Sequence, residues 1–282
     1  MTRVRHGRLG FWLRFAISII YPLVPLVFRI RWRGRSQVPA TGGVLLVVNH
    51  ISYIDPFVFS RFVYDCGRIP RFLVKDSLFR VFFVRSVLRG ARQIPVARGA
   101  ADAHASLRDA VAALEGGECV CIYPEGTVTR DPQWWPMLAK TGVARLALAT
   151  DVPVVPVAQW GPQLAVDWYA RRFRPLPRKQ AFCQAGPAID LRAYRGRPVT
   201  AELLREVTDA IMNAVRDQLA EIRDEAPPAS FWRPLPRSGR PPADRSPSGQ
   251  PPADPPPSGQ PPGQPPSGQP RAGEPPTELE AS

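Results

Sequence analysis

Acidic residues are absent from the first 54 positions of this chain, and the first carboxylate side chain is Asp55. Histidine is scarce too, with His6, His50 and His104 the three present. The four cysteines, Cys66, Cys119, Cys121 and Cys183, form no Cys-x-x-Cys pair. That argues against a metal or redox site and for buried free thiols in a reducing compartment. No zinc-finger spacing, basic zipper or aromatic RNA-binding signature occurs, so the net charge of +13 is not assigned to nucleic acid. The excess charge lies in residues 1–226, because the chain from Pro227 onward balances five arginines with five carboxylates. A broad positive field of this kind attracts phosphate groups, on an anionic membrane or on a small substrate.

A long uncharged apolar run is also missing. Residues 15–28 are apolar but interrupted by Pro22 and Pro25. As a helix they reach only about 20 Å, against a hydrocarbon core of about 30 Å. Arg3, Arg5 and Arg8 precede the run, and Arg29, Arg31, Arg33 and Arg35 follow it. Residues 1–36 are therefore expected to form a membrane-associated segment that lies in the interface or enters and returns, with arginines set against anionic headgroups. A buried helix of the soluble core is the competing reading. The four arginines before Ala40 argue against a signal peptide.

From position 42 to about 225, strand-like and helix-like patterns alternate. Val44–Val48, 72–75, 93–96, 119–123, 154–158 and 181–185 are short, apolar and rich in β-branched residues. Between them, 56–64, 77–89, 101–115, 140–150 and 201–224 carry helical patterns, the last with an apolar stripe through Leu204, Val207, Ile211, Val215, Leu219 and Ile222. This alternation predicts an α/β layer fold over residues 37–226. Residues 227–282 hold more than half of the 35 prolines and repeat Ser-Gly-Gln-Pro from Ser248, Ser258 and Ser267. A stretch with so little to bury is expected to stay disordered, and its removal to leave activity nearly intact.

What stands out is Asn49-His50-Ile51-Ser52-Tyr53-Ile54-Asp55-Pro56, directly after the first strand. Two readings of His50 and Asp55 stand. In one, His50 ends a strand and Asp55, followed by Pro56, caps a helix. In the other, the pair is a catalytic dyad: an imidazole takes a proton near neutral pH, and the carboxylate fixes its tautomer and stabilises the imidazolium. A second block, Tyr123-Pro124-Glu125-Gly126-Thr127, follows another strand. It is either a simple turn or a substrate site, with Gly126 allowing close backbone approach.

With both blocks in hand, the chain resembles the glycerol-phosphate acyltransferase superfamily, notably 1-acylglycerol-3-phosphate acyltransferases. Residues 90–98, ending in Arg98, resemble the family's second block. Residues 152–157 resemble its proline-containing fourth block, and Lys140 with Gly142 matches a Lys-x-Gly after the third. The resemblance implies a mixed central sheet flanked by helices. It makes His50 the general base and Asp55 its orienting group. It implies that Arg98 contacts an acceptor phosphate, that Glu125, Gly126 and Thr127 shape that site, and that Lys75, Lys140 and Arg130 are further cations. Two departures stand out. Val128 occupies a position that the family commonly gives to arginine, and Pro95 and Ala97 replace an aromatic and an acidic residue.

The implied reaction moves an acyl group from acyl-CoA or acyl-acyl carrier protein to the hydroxyl of 1-acylglycerol 3-phosphate, giving phosphatidic acid. It calls for no metal and no cofactor beyond the thioester co-substrate. The implied partners are a membrane lipid substrate, an anionic membrane surface and acyl carrier protein; the implied location is the cytoplasmic face of the cell membrane. Another lysophospholipid or a glycolipid as acceptor is the alternative within the class. A non-catalytic membrane-binding protein is the alternative outside it.

Overall fold

Short apolar runs and amphipathic runs alternate in space as they do in the sequence. A computed structural model describes residues 10–96 and 100–233. In chain order they form α1 (Phe11–Val27), β1 (Phe28–Arg33), β2 (Val44–Val48), α2 (Asp55–Asp65), β3 (Pro70–Lys75), α3 (Phe82–Gly90), β4 (Ile94–Val96), α4 (Ala100–Glu115), β5 (Cys119–Ile122), α5 (Gly142–Ala149), β6 (Val154–Trp160), α6 (Pro162–Ala165), β7 (Val166–Asp167), β8 (Arg172–Phe173), β9 (Lys179–Ala185) and α7 (Ala201–Arg223). Seven strands make one sheet in the order β1-β9-β6-β2-β5-β3-β4. The strands from β6 to β4 run parallel, β9 is antiparallel to β6, and β1 runs parallel to β9. The α/β expectation, with a mixed central sheet between helices, holds.

β2 lies at the centre, and all five of its residues are fully buried. An unbroken apolar run is what a strand covered on both faces requires. On one face Leu45, Val47, Val120, Ile122 and Val154 pack against α4, α5 and α7. On the other, Val44, Leu46, Val48, Cys119 and Cys121 pack against α2 and Val24 of α1. Leu204, Val207, Ile211 and Val215 of the predicted α7 stripe lie in the first layer, Leu219 and Ile222 join a smaller cluster with Trp135 and Ala158, and Thr200 caps that helix by accepting from the Leu203 amide at 3.1 Å. All four cysteines are free, with Cys119, Cys121 and Cys183 buried.

Two regions differ from the sequence reading. Phe28–Arg33 is an edge strand of the main sheet, not the tail of the apolar segment. Its residues alternate, with Phe28 buried and Arg29, Arg31 and Arg33 exposed. This period-two signal was hidden because it continues an apolar run of helical length. Arginines on an outer strand also discourage pairing with another chain. The second region lies past Ala226, where the chain still packs on the domain. The Leu138 amide donates to the Trp232 carbonyl at 3.0 Å, Arg216 bonds the Pro228 carbonyl at 3.1 Å, and Phe231 covers the α7 layer. Residues from 234 onward, including the Ser-Gly-Gln-Pro repeats, lie outside the described residues.

α1 continues through Pro22 and Pro25 and buries only Val24 fully. It rests on α2 and α3, with Trp12 edge-to-face on Phe83 at 5.7 Å and the Tyr21 hydroxyl donating to Asp65 at 3.4 Å. Among the described residues no helix is long and apolar enough to cross a membrane.

The packing of residues 227–233 moves the point at which truncation is silent. A chain ending at Arg233 is expected to melt like the full-length protein. One ending at Ala226 loses Phe231 and Trp232 and is expected to be less stable by about 1–3 kcal/mol. Thermal melts of the two truncations check this; equal melting temperatures would contradict it.

Candidate active site

Parallel strands of an open α/β sheet present their following loops at one end, which makes that end the natural place for a site. Here β2 and β5 are hydrogen-bonded neighbours, so the loops carrying His50 and Glu125 emerge side by side. The junction is locked by Asn49, which is fully buried. Its side-chain amide donates to the Gln159 carbonyl at 3.1 Å and its Oδ1 accepts from the Gln159 amide at 2.8 Å. Gln159 Nε2 returns a bond to the Asn49 carbonyl at 2.9 Å. Sequence reasoning gave neither residue a role. The available signal was a glutamine in the apolar run of β6.

The His50–Asp55 loop turns around one oxygen. Asp55 Oδ2 accepts from His50 Nδ1 at 3.0 Å, from the Ile51 amide at 2.6 Å and from the Ser52 amide at 2.8 Å. An ionised carboxylate only accepts, so Nδ1 carries the imidazole proton and Nε2 holds the lone pair. Asp55 is fully buried, while the His50 side chain is 13% exposed. Burial pushes the Asp55 carboxyl up; His50 and the two amides oppose that shift. The helix-cap reading of Asp55 is corrected here. α2 begins without a side-chain cap, and the carboxylate turns back to the loop before it. Pro56 does stand in the first turn, as expected.

Glu125 holds the frame from the neighbouring strand. Its Oε1 accepts from the His50 amide at 2.8 Å and its Oε2 from the Met137 amide at 2.9 Å. The His50 carbonyl in turn accepts from the Thr129 amide at 2.7 Å. Both Glu125 oxygens are thus committed to backbone, and the side chain is buried; the resemblance had turned it towards the acceptor. Burial pushes its carboxyl up to about 8, with the amides of Met137 and His50 pulling against that shift. Tyr123 stacks on the His50 ring with centroids 4.4 Å apart. Burial, followed by the nearby Asp55 charge, pushes the Tyr123 phenol well up, so the stacked ring stays neutral.

The other expected residues are spread more widely. Gly126 closes the turn by donating to the Tyr123 carbonyl at 3.0 Å, at a positive φ of 69°. The Lys140 side chain lies over it: a Cβ there would come 3.0 Å from Nζ. Thr127 is half-buried, with no side-chain partner among the described residues. Lys75 is exposed at the end of β3, and no interaction joins it to the dyad. Arg130 is exposed, its guanidinium 5.9 Å from the Tyr169 ring. Arg98 lies outside the described residues. Val128 is buried, and its carbonyl accepts from the Tyr169 hydroxyl at 3.2 Å.

Glu125 makes stability depend on pH in a defined direction. Its folded carboxyl titrates at about 8, against an ordinary value of 4.5. Between these values the folded chain binds more protons than the unfolded one. The contribution is therefore full below 4.5 and is lost as pH rises towards 8. Melts across that window should fall with pH in the wild type, and this component should vanish in Glu125→Gln. An identical pH slope in the variant would contradict it.

Several known proteins are similar to this chain in sequence or in fold. A family model described as Acyltransferase matches residues 29–160. The chain is 31% identical over 125 residues to the 1-acyl-sn-glycerol-3-phosphate acyltransferase of Borreliella burgdorferi, covering 44% of this chain and 48% of that protein. It is 22% identical over 161 residues to the Bacillus subtilis protein of the same name, covering 56% and 76%. The chain thus spans about half the length of the first of these relatives and three quarters of the second. The crystal structure of the 1-acyl-sn-glycerophosphate (LPA) acyltransferase PlsC from Thermotoga maritima shares the fold, with a TM-score of 0.55 at 21% identity over 73% of this chain and 79% of that one. Family model, relatives and fold point the same way: residues 29–160 of this chain are similar to the acyltransferase family.

Proposed function

We propose that this chain transfers an acyl group from a thioester, acyl-CoA or acyl-acyl carrier protein, to the free hydroxyl of 1-acylglycerol 3-phosphate, giving phosphatidic acid. The observation that carries the reading is the His50–Asp55 pair, with Nδ1 held at 3.0 Å by a carboxylate that two backbone amides also hold. This leaves Nε2 as the base. The acceptor hydroxyl attacks the thioester carbonyl as Nε2 takes its proton. The C–O bond forms, the C–S bond breaks, and the imidazolium returns the proton to the leaving thiolate. Asp55 stabilises the imidazolium while it lasts. The thioester is already activated, so neither a covalent enzyme intermediate nor a metal is required. Ser52, whose hydroxyl bonds the Val166 carbonyl at 2.8 Å, is not the nucleophile in this scheme.

In this reading Glu125 is a positioning residue that fixes the His50 backbone. Lys140 over Gly126 is the cation best placed beside the motif turn to meet an acceptor phosphate, with Arg98, Lys75 and Arg130 as further candidates and Thr127 offering a hydroxyl. The names of the relatives support the acceptor. The net charge of +13 suits substrates and a membrane surface that carry phosphate. We place the enzyme on the cytoplasmic face of the cell membrane, held peripherally through the apolar side of α1.

One observation favours a second acceptor. Val128 is buried where the family commonly has arginine, so the cation expected beside the third block is missing there. A different lysophospholipid or a glycolipid hydroxyl fits that loss.

His50→Ala is expected to lower kcat/KM by about 10²–10⁴-fold with liposome binding retained; unchanged turnover would remove His50 from the mechanism. A panel of acceptors assayed with one labelled acyl-CoA separates the two acceptor readings. 1-Acylglycerol 3-phosphate is expected to be the best, and its ranking last would favour the second reading.

A further inference from the structure

The end of the sheet that carries the dyad also carries a short hairpin that the proposed chemistry does not use. β7 and β8 pair antiparallel, Val166 with Phe173 and Asp167 with Arg172. The hairpin is tied to both motif loops. Ser52 Oγ, between His50 and Asp55, donates to the Val166 carbonyl at 2.8 Å. The Tyr169 hydroxyl donates to the Val128 carbonyl at 3.2 Å. Trp168 meets Tyr53 edge-to-face at 5.1 Å, and the Tyr53 ring lies 6.3 Å from the His50 ring.

So firmly placed a hairpin nonetheless turns large apolar side chains outward. Trp168 is 62% exposed and Phe173 74%. Arg171, Arg172 and Arg174 stand among them, and Asp167 is the one carboxylate in residues 166–174. That carboxylate is occupied by the Ala170 amide at 3.0 Å. Aromatic rings interleaved with arginines match a lipid–water interface, where amphipathic rings lodge at the headgroup level. Net positive charge matches anionic headgroups.

We propose that the 166–173 hairpin inserts Trp168 and Phe173 into the interfacial layer of an anionic bilayer and holds the mouth of the dyad site against lipid. This rests on the reading of the dyad as acting on a membrane lipid. It gives Ser52 and Val128 a shared purpose, since one donates to the hairpin and the other accepts from it. It also adds a membrane contact separate from α1 and far from it in the sequence. Two contacts orient the site where a single amphipathic helix would only tether it.

The test uses full-length wild type, Trp168→Ala/Phe173→Ala and Trp168→Phe. Binding is measured to vesicles of phosphatidylcholine and of phosphatidylcholine mixed with phosphatidylglycerol. The double variant is expected to bind the mixed vesicles about tenfold more weakly, having lost two large apolar side chains. Brominated acyl chains in the vesicles are expected to quench wild-type tryptophan emission more than that of Trp168→Phe. Turnover on a short-chain, water-soluble acceptor is expected to be unchanged; because binding is read without catalysis, failure of the acyltransferase reading shows separately, as inactivity of the wild type. Equal binding of double variant and wild type overturns the proposal. So does an altered acyl-chain preference at equal binding, which would make the hairpin a wall of the substrate site. Loss of a wild-type dimer at equal binding would assign it to a second copy of the chain and overturn it too. Should the double variant fail to fold, equal quenching of wild type and Trp168→Phe is the overturning result.

Discussion

One buried oxygen organises this site. Asp55 Oδ2 gathers the His50 ring and the amides of Ile51 and Ser52, so a single atom sets the imidazole tautomer and the path of the loop. A buried carboxylate without such donors would be strongly disfavoured. The donors can converge only because the chain turns sharply between β2 and α2. The His50–Asp55 pair and the strand-to-helix connection are therefore one object. Loss of the carboxylate would disturb the loop as well as the imidazole.

A second buried carboxyl ties this loop to its neighbour. Glu125 bridges the His50 and Met137 amides, and the Thr129 amide closes the ring on the His50 carbonyl. Asn49 and Gln159 do the same work across the other side of β2. His50 is thus braced by strands on both sides of its own. Such bracing fixes the ring without any ligand, the preorganisation that the proposed reaction would need. The cations that the proposed function sets against a phosphate are held differently. Lys140, Lys75 and Arg130 are all exposed, on long side chains that a ligand can arrange.

Positive charge is spread in the same spirit. Arg29, Arg31 and Arg33 line an outer strand, and Arg171 and Arg172 stand on the hairpin beside the dyad. None of these is needed to hold the core together. They face outward, and their sign favours phosphate-bearing surfaces such as the bilayer of the proposed function.

The strands β2, β3, β5, β6 and β9 were legible because buried β-branched runs leave few other conformations open, and α7 was legible from its apolar stripe. His50 and Asp55 were legible as a spacing, and the family resemblance made that spacing a dyad. β1 was not, since its alternation lies at the end of an apolar run that reads as helix. The cap reading of Asp55 failed because Asp-Pro suits a helix start equally well; which donors reach a carboxylate is decided by how the loop folds. Glu125 stood out within its motif but not as a brace, because its partners lie 75 and 12 positions away. By itself the sequence determined the α/β layering, the chemistry-bearing residue types and their order, since these follow from local pattern and spacing. Only the tertiary structure decided that Asp55 faces backward, which depends on how its loop folds, and that Glu125 serves the backbone and an aromatic hairpin from beyond β6 packs on both motif loops, which depend on contacts between segments apart in the chain.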